Sequence, residues 1–387
     1  MVAVMLVASP SSTLAQLVDV TKYIPEAVLD LIPEPTVPPT TVPPTTEAAV
    51  PETTVPPTTE ATVPPTTEAV TEPTETEPPA PESFTLTFVG DCTLGTALKN
   101  FNYQQGFILT VGEDYSYNFA NVIDYFTGDD FTMLNLEGVL ANEGTPAAKQ
   151  YAFRGPTKYA NILTQNSVEA VSLSNNHTRD FLEAGYLSTT TTLTDAGVPY
   201  VEQDNTLIVT TDRGLTIGIY AVNYDNLNEK EIVAAISQLE ANEEIDLVIL
   251  CAHWGNENSF KQSAQQEKLA HAAIDAGADI VYGTHTHTLQ PIEEYNGGII
   301  FYSLGNFAFG GNNDPKDYDS ALVQQEVIRD VDGTIKLGEL TVVPCSISSV
   351  SHLNNFQPTP YEADSNAYNR AMSKLDGSYA GHSLPIG

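Results

Sequence analysis

Positive charge is scarce in this sequence of 387 residues. Fifteen lysines and arginines stand against fifty aspartates and glutamates, which gives a formal net charge of −35. Residues 34–82 hold nine glutamates and no other charged residue, so the rest of the chain still carries −26. Because a field of that sign repels nucleic acid and anionic membranes and attracts cations, we expect no nucleic-acid partner.

Cysteine and long apolar segments are scarce as well. The three cysteines, Cys92, Cys251 and Cys345, lie far apart and form no CxxC pair. This spacing does not indicate a disulfide framework. Cys92 and Cys251 lie in apolar, strand-like runs, and we interpret them as buried free thiols. Beyond the N-terminus, no apolar run reaches the ~20 residues that a membrane-spanning helix needs.

The N-terminal segment 1–16 has a short apolar run followed by Thr13-Leu14-Ala15, which is similar to a signal-peptidase site. It lacks the positively charged start of a signal peptide. A truncated signal peptide and an apolar N-terminus without meaning both remain open. We favour the signal, which predicts export and an extracellular or cell-surface location.

Residues 33–82 repeat VPPTTE-like units. Proline favours extended polyproline II, while threonine and glutamate supply no core, so the segment is predicted to be a disordered Pro/Thr/Glu spacer. Such a stalk would hold a domain away from a cell surface. A linker without special function is the alternative.

The composition changes at Ser83, where a strand-like alternation begins. Helix-like stretches at residues 180–196, 229–240 and 263–276 alternate with further apolar strand-like runs, which are FTMLNLEG, VEAVSLSNN, IDLVILCAHWG, ADIVYGTHTH and GIIFYSLGNF. This pattern predicts an α/β layered domain over residues 83–350, around a largely parallel or mixed sheet. Hairpins are predicted at residues 206–220 and 321–343. Residues 351–387 are polar and stay unassigned.

Potential metal ligands follow almost every predicted strand. In chain order they are Asp91, Glu137, Asn175, Asn176, His177, His253, His285 and His287. Ligands bind outside the carboxyl ends of the strands in open α/β sheets, so these groups are predicted to converge. The mixed oxygen and nitrogen set suits Mn, Zn, Fe or Co. Two ions sharing a carboxylate would lower the pKa of a bridging water and present hydroxide at neutral pH.

Each of these residues has a structural alternative when it is taken alone. Asp91 could cap a helix or turn, Glu137 could be a surface carboxylate, and His253 could be a core histidine. The pair His285-x-His287 is stronger, because alternate residues of an extended segment project to the same side. The metal hypothesis therefore depends on convergence.

The ordered motifs FVGDCTLG, NLEGVLA, YAFRGP, VSLSNNHTRDFLEAG, HWGNE, AGADIVYGTHTHTLQPIEEYNGG and FYSLGNF resemble the poly-gamma-glutamate capsule protein (CapA) family. That family has the calcineurin-like metallophosphoesterase fold, and the similarity runs from about Phe84 to about Phe309. The resemblance implies a four-layer α/β sandwich with one or two divalent ions, Mn, Zn or Fe.

The resemblance also implies a function in poly-gamma-glutamate capsule synthesis or processing, as a metal-dependent hydrolase or transferase that uses a metal-bridging hydroxide. Its partners would be the anionic polymer or a cell-wall component, together with capsule synthase membrane proteins. The alternative is a non-catalytic polymer-binding or export accessory protein with a structural metal site.

Residue roles follow from the same resemblance. The metal ligands would be Asp91, Glu137 as the bridging acid, Asn176, His253, His285 and His287. His177 would act as the acid or transition-state stabiliser, oriented by Asp180. Substrate contacts would come from Arg154, Asn175, Glu257, Ser303 and Asn306. The alternatives are an arginine on a solvated loop for Arg154 and a structural turn for Ser303 and Asn306. Two positions depart from the wider superfamily: Thr93 stands where a histidine is usual, and Glu137 replaces an aspartate.

Overall fold

The structure is a computed structural model that describes residues 80–97, 106–381 and 383. The predicted signal peptide and residues 33–79 of the predicted spacer lie outside the described residues. Among the helices of the described part, none combines the length and the apolar character that a membrane span requires.

Two large sheets and one small sheet account for the strands of the described residues. The strands are β1 (Glu82–Cys92), β2 (Thr96–Ala97), β3 (Phe131–Leu136), β4 (Val139–Leu140), β5 (Phe153–Gly155), β6 (Ala170–Ser172), β7 (Tyr200–Val201), β8 (Thr206–Thr210), β9 (Thr216–Asn223), β10 (Leu247–His253), β11 (Ile280–Thr284), β12 (Ile292–Tyr295), β13 (Gly298–Phe301), β14 (Asp319–Arg329), β15 (Ile335–Ser346) and β16 (Thr359–Pro360). The α-helices are α1 (Phe107–Val111), α2 (Ile123–Thr127), α3 (Ala160–Thr164), α4 (Leu182–Ala196), α5 (Glu229–Glu240), α6 (Ala264–Asp275) and α7 (Asn366–Leu375).

The first large sheet has the order β16-β15-β14-β1-β3-β6-β7, and the second has the order β12-β13-β11-β10-β9-β8. Strands β1, β3, β6 and β7 run parallel in the first sheet, as do β9, β10, β11 and β13 in the second. Both sheets are mixed, because β14 and β8 pair antiparallel with their neighbours. The small sheet has the order β2-β5-β4.

The core lies in three layers of buried side chains. Phe84, Leu86 and Phe88 of the first sheet pack between the sheets against residues such as Ile249. The outer face of the first sheet packs on α1 to α4, and the outer face of the second packs on α5 and α6. The helix–sheet–sheet–helix arrangement confirms the predicted four-layer α/β sandwich.

Local sequence signals explain where the helices begin and end. The Ser263 hydroxyl caps α6 by accepting a hydrogen bond from the Gln266 N–H at 3.2 Å, and the Gln266 side chain completes a capping box. The Asn228 side-chain oxygen caps α5 by accepting a hydrogen bond from the Lys230 N–H at 3.1 Å. Helix α4 ends at Gly197, whose φ of 71° is left-handed and is favourable for glycine.

Both predicted hairpins are present. Strands β8 and β9 pair antiparallel, and so do β14 and β15. The glycines in their turns, Gly214 and Gly333, each have a φ of 86°. Cys92 and Cys251 are free and buried, as interpreted from their apolar surroundings, and Cys345 is free and buried as well.

The unassigned C-terminal region contains β16 and α7. Helix α7 is attached by buried ion pairs: the Lys374 ammonium lies 2.8 Å from Asp317 and 2.7 Å from Asp319. Arg370 also pairs with Asp319, at 2.5 Å. Ala371 and Leu375 of the same helix are buried in the core between the two large sheets, so α7 is held by apolar contacts as well.

Candidate metal centre

The predicted ligands lie at the carboxyl ends of neighbouring strands. Asp91 is the second-last residue of β1, Glu137 directly follows β3, and His253 ends β10. Asn176 follows β6, and His285 follows β11. The ends of both large sheets meet here, so side chains spread over almost two hundred positions come within contact distance.

Glu137 occupies the middle of this group. Its Oε1 atom lies 3.7 Å from His253 Nε2, 3.9 Å from His177 Nε2 and 4.0 Å from His287 Nε2. His287 Nδ1 in turn lies 3.4 Å from Asp91 Oδ2. The donor atoms of Asp91, Glu137 and His287 all lie within 4.8 Å of one another, which makes them a group that could hold a metal ion.

The carboxylate of Glu137 provides the test of whether a cation fits. The residue is fully buried, and neither carboxylate oxygen has a hydrogen-bond partner. A buried carboxylate without compensation costs several kcal/mol. Ligands bound about 2.0–2.2 Å from one ion lie about 3–4 Å from one another. The observed separations match that spacing, so the residues fit a divalent ion.

A second cluster of donor atoms surrounds His253 Nε2. Asn176 Oδ1 lies 2.8 Å from this nitrogen, and His285 Nδ1 lies 3.1 Å from it. The other ring nitrogen of His253 is 2.9 Å from the Thr284 hydroxyl. Two imidazole nitrogens and an amide oxygen therefore face one point, with Glu137 adjacent. This set would suit a second ion that shares Glu137 with the first.

Electrostatics separates the histidines into two kinds. Burial lowers the pKa of His253 well below its ordinary value, and burial also lowers the pKa of His285 to about 3. Both rings are therefore neutral at pH 7, the form that binds metal. Burial alone would lower the pKa of His287 too, but Glu137 and Asp91 raise it to about 10.

Glu137 shows the complementary effect. Burial raises its pKa well above the ordinary value, and the charge of Asp91 raises it further. A proton on Glu137 or His287 thus compensates the acidic site when no cation is bound. A divalent ion would displace that proton, which makes metal binding pH-dependent.

Asn135 organises the site, and the sequence pattern gave no sign of it. Its amide nitrogen donates to Asp91 Oδ1 at 2.8 Å, and its oxygen accepts from Asn175 Nδ2 at 3.0 Å. The Asn175 oxygen accepts the His177 N–H at 3.0 Å. The structure therefore places Asn175, an expected substrate contact, inside the hydrogen-bonded frame of the loop. In the sequence, Asn135 is only one more polar residue of FTMLNLEG, because Asp91 and Asn175 lie on other segments.

His177 and Asp180 are paired. His177 Nδ1 lies 2.7 Å from Asp180 Oδ2, which also accepts the Phe153 N–H at 2.5 Å. Because Nδ1 faces Asp180, Nε2 is the ring nitrogen directed toward Glu137. Burial lowers the pKa of His177, an effect that Asp180 opposes. Lys149, which the sequence did not single out, lies 2.6 Å from Asp180 Oδ1.

The other expected substrate contacts occupy different positions. Asn306 Oδ1 lies 2.9 Å from His287 Nδ1, so Asn306 supports a candidate ligand. Ser303 is fully buried and accepts the Gly305 N–H at 3.2 Å. Glu257 is exposed on the loop after β10. Arg154 is 8% exposed, and its guanidinium lies 5.1 Å from the centre of the Phe181 ring.

The segment that carries His285 and His287 is not extended. His285 has a φ of 94° and His287 has a φ of 57°, both in a region that non-glycine residues rarely occupy. The extended-strand reason for pairing them was therefore wrong, because β11 ends at Thr284. The Asp91 carboxylate accepts the His285 N–H at 3.2 Å and helps to hold this backbone. Such strain is concentrated at functional sites.

Two residues near the ligands were missed or left open by the sequence. The Tyr224 ring stacks on His285 with 4.7 Å between ring centres, and the tyrosine is 41% exposed at the edge of the site. Thr93 is buried, and its hydroxyl has no hydrogen-bond partner. Thr93 therefore supplies no imidazole to the cluster of Asp91, Glu137 and His287.

Known proteins are similar in sequence to this chain over the region that contains the candidate metal centre. The family model described as bacterial capsule synthesis protein PGA_cap matches residues 85–311, which contain every candidate ligand. The capsule biosynthesis protein CapA of Bacillus anthracis is 30% identical over 323 residues, which cover 76% of this chain and 74% of that protein. The PGA biosynthesis protein CapA of Bacillus subtilis (strain 168) is 27% identical over 300 residues, covering 72% and 74%. The solved structure of Haemophilus influenzae NAD nucleotidase is 13% identical with a TM-score of 0.40, covering 77% of this chain and 63% of that chain.

Proposed function

The chain belongs to the bacterial capsule synthesis protein family PGA_cap, and from this premise we propose that it acts in the synthesis or processing of a poly-γ-glutamate capsule. The names of the relatives support this role, since CapA of Bacillus subtilis is a PGA biosynthesis protein. Within that role, the proposed activity is metal-dependent hydrolysis or transfer at a γ-glutamyl amide.

The observation that carries the enzymatic proposal is the carboxylate of Glu137. It is fully buried, lacks hydrogen bonds on both oxygens, and has three imidazole nitrogens within 4.0 Å. A structural carboxylate would be expected to have donors around it. Asp91, Glu137 and His287 would hold one divalent ion, and Asn176, His253 and His285 would hold a second next to Glu137. Mn, Zn and Fe suit this ligand set.

Bound ions would supply Lewis acidity, polarising the scissile carbonyl and lowering the pKa of water. The chain's own contribution to proton transfer comes from His177. Its Nδ1–H is held by Asp180, so Nε2 is free to accept a proton on the side that faces Glu137. Because burial lowers its pKa, the ring is neutral at pH 7 and ready to act as a base.

The proposed hydrolysis consumes only the amide and one water molecule. The water oxygen forms a bond to the amide carbon while His177 Nε2 takes a water proton. The carbon–nitrogen bond then breaks, and His177 Nε2 gives the proton to the leaving nitrogen. The second water proton passes from the new carboxyl group to the released amine, so the products are a γ-carboxylate and an ammonium group, and the imidazole returns to its neutral form.

The acidity of the protein bears on how an anionic polymer would bind. Outside residues 34–82 the chain carries −26, which repels polyglutamate. Divalent ions at the site would offset that repulsion locally. Affinity for the polymer should therefore depend on bound metal, and it should increase as salt screens the remaining repulsion.

We propose a cell-surface location on the basis of the N-terminal sequence. Residues 1–16 resemble the apolar part and cleavage site of a signal peptide, and the Pro/Thr repeats that follow suit an extracellular spacer. Capsule synthase membrane proteins are the proposed partners at that surface. Detection of the mature chain outside the membrane, with its N-terminus near residue 16, would support this part.

A turnover assay tests the enzymatic proposal. The full chain, reconstituted with Mn or Zn, is incubated with a γ-glutamyl polymer and separately with a generic phosphoester. We expect release of amines from the polymer, and we expect His177→Ala to lower the rate by about 10²–10⁴-fold while metal content stays unchanged. Metal-dependent polymer binding without turnover would instead indicate the accessory role. Turnover of the phosphoester alone would replace the amide by a phosphoester as substrate.

A further inference from the structure

Lys149 lies on the segment between β4 and β5 and contacts the loop that carries the candidate catalytic residues. Its ammonium lies 2.6 Å from Asp180 Oδ1 and donates to the Asn176 backbone oxygen at 2.9 Å. His177 Nδ1 is 3.4 Å away. A single cation therefore contacts three residues of the loop after β6. The contact is notable in a chain with so few positive charges.

These contacts complete the coordination of Asp180. The Oδ1 atom of its carboxylate receives Lys149, and the Oδ2 atom receives the Phe153 N–H and His177 Nδ1. Asp180 is fully buried. A buried carboxylate is stable only when it is paired and hydrogen-bonded, so removal of the cation would leave Asp180 uncompensated.

The contacts of Lys149 indicate that it positions protein groups and does not bind an anionic substrate directly. Two of the three N–H bonds of Lys149 are used inside the protein, toward Asp180 and the Asn176 carbonyl. The Lys149 side chain is 32% exposed, so it lies against the outer side of the loop after β6 and does not project freely into solvent. Its main partners are groups that hold His177 and Asn176 in place.

We propose that Lys149 is a positioning residue that fixes His177 in one tautomer through Asp180 and fixes the Asn176 backbone at the metal site. The catalytic consequence of this inference rests on the proposed function, whereas the structural part does not. With Lys149 present, Asp180 holds the proton of His177 on Nδ1, and Nε2 stays directed toward Glu137. Without it, the ring loses its single orientation.

Kinetics of Lys149→Met in the full, metal-loaded chain test the catalytic part. We expect kcat to fall about 10- to 100-fold, the usual effect of removing a partner that orients a site residue, with KM nearly unchanged. Lys149→Arg should restore part of kcat, because a guanidinium can donate to both partners. Lys158→Met is the matched control: Lys158 forms an exposed ion pair with Glu113 at 2.8 Å, and its loss should leave kcat unchanged.

A KM that rises more than about tenfold with kcat unchanged would overturn the proposal and make Lys149 an anion contact for the substrate. Unchanged kcat and KM would overturn it as well. Equal losses of kcat in Lys149→Met and in Lys158→Met would show a general effect of removing positive charge, and would also contradict it.

Nuclear magnetic resonance of the imidazole nitrogens tests the positioning without any substrate. The full chain is prepared with isotope-labelled histidine, loaded with zinc, and the His177 signals are assigned with His177→Ala. We expect one tautomer with the proton on Nδ1 in the unsubstituted chain, and a mixture in Lys149→Met but not in Lys158→Met. A single, unchanged tautomer in Lys149→Met would refute the positioning role, even if no turnover is ever found.

Discussion

Replacing Glu137 by glutamine should stabilise the metal-free protein and weaken the metal-loaded one. Glutamine keeps the shape of the side chain and removes its charge. In the absence of metal, the Glu137 carboxyl is buried beside Asp91 without a hydrogen bond, and its raised pKa means that the folded state must either keep an unfavourable charge there or take up a proton. Glutamine avoids this cost, which at pH 7 is about 1.4 kcal/mol for each unit by which burial and Asp91 raise the pKa of Glu137. For a domain of this size we expect the melting temperature to rise by about 2–4 °C for each kcal/mol.

With metal the order should reverse. An ion present at 100 times its Kd stabilises the protein by about 2.7 kcal/mol, provided that it binds only the folded state. Glu137→Gln removes the ligand shared by both donor clusters, so most of this gain should disappear. Thermal unfolding of both proteins, with chelator and with excess Mn or Zn, measures the two effects.

Glu169 offers a matched control for this experiment. It is a partly buried carboxylate outside the metal centre, and it accepts the Thr132 N–H at 2.7 Å. Glu169→Gln should leave the metal-induced shift in melting temperature unchanged. Destabilisation of the metal-free protein by Glu137→Gln, or an undiminished metal-induced shift, would refute the interpretation of Glu137 as a cation ligand.

Three other predictions follow from charges in the structure. The metal-free protein should lose about 1.4 kcal/mol of stability per pH unit from about pH 7 to 9, as measured by urea titration. The reason is that the pKa of His287 is raised to about 10, so the folded state keeps a proton that unfolded histidine has released. A slope that persists in His287→Gln would contradict this. Lys374→Met should lower the free energy of unfolding by about 3–5 kcal/mol, because Asp317 and Asp319 lose a buried partner; a change below about 1 kcal/mol would argue against it. Polyglutamate binding by the metal-loaded chain should strengthen when salt is raised from about 0.05 to about 0.3 M, since screening weakens charge repulsion; weaker binding at high salt would contradict repulsion.

The sequence predicts much of the fold because its signals are local. The α5 helix was predicted at residues 229–240 and is found there, since its apolar positions repeat and Asn228 caps its start. Hairpins were predicted around Gly214 and Gly333 from their turn residues. Helix α7 was not predicted, because its attachment through Lys374 to Asp317 and Asp319 depends on residues more than fifty positions away.

The site shows the same division. Asp91, Glu137, Asn176 and the histidines were predicted as ligands because each lies at or just after the end of an apolar run. Asn135 and Lys149 were missed, since their importance comes only from partners on other segments. The left-handed backbone of His285 and His287 could not be predicted from the sequence either, because the surrounding structure imposes strain of this kind.

The most direct test of the account is to locate the metal by anomalous diffraction. Crystals of the full chain grown with Mn or Zn, with data collected at the absorption edge of the metal, would show where ions bind. We predict a peak within bonding distance of the Glu137 carboxylate, with Asp91 and His287 or with Asn176, His253 and His285 as further ligands. A map in which the bound ions all lie away from Glu137, or in which no ion binds at millimolar metal, would contradict the central claim.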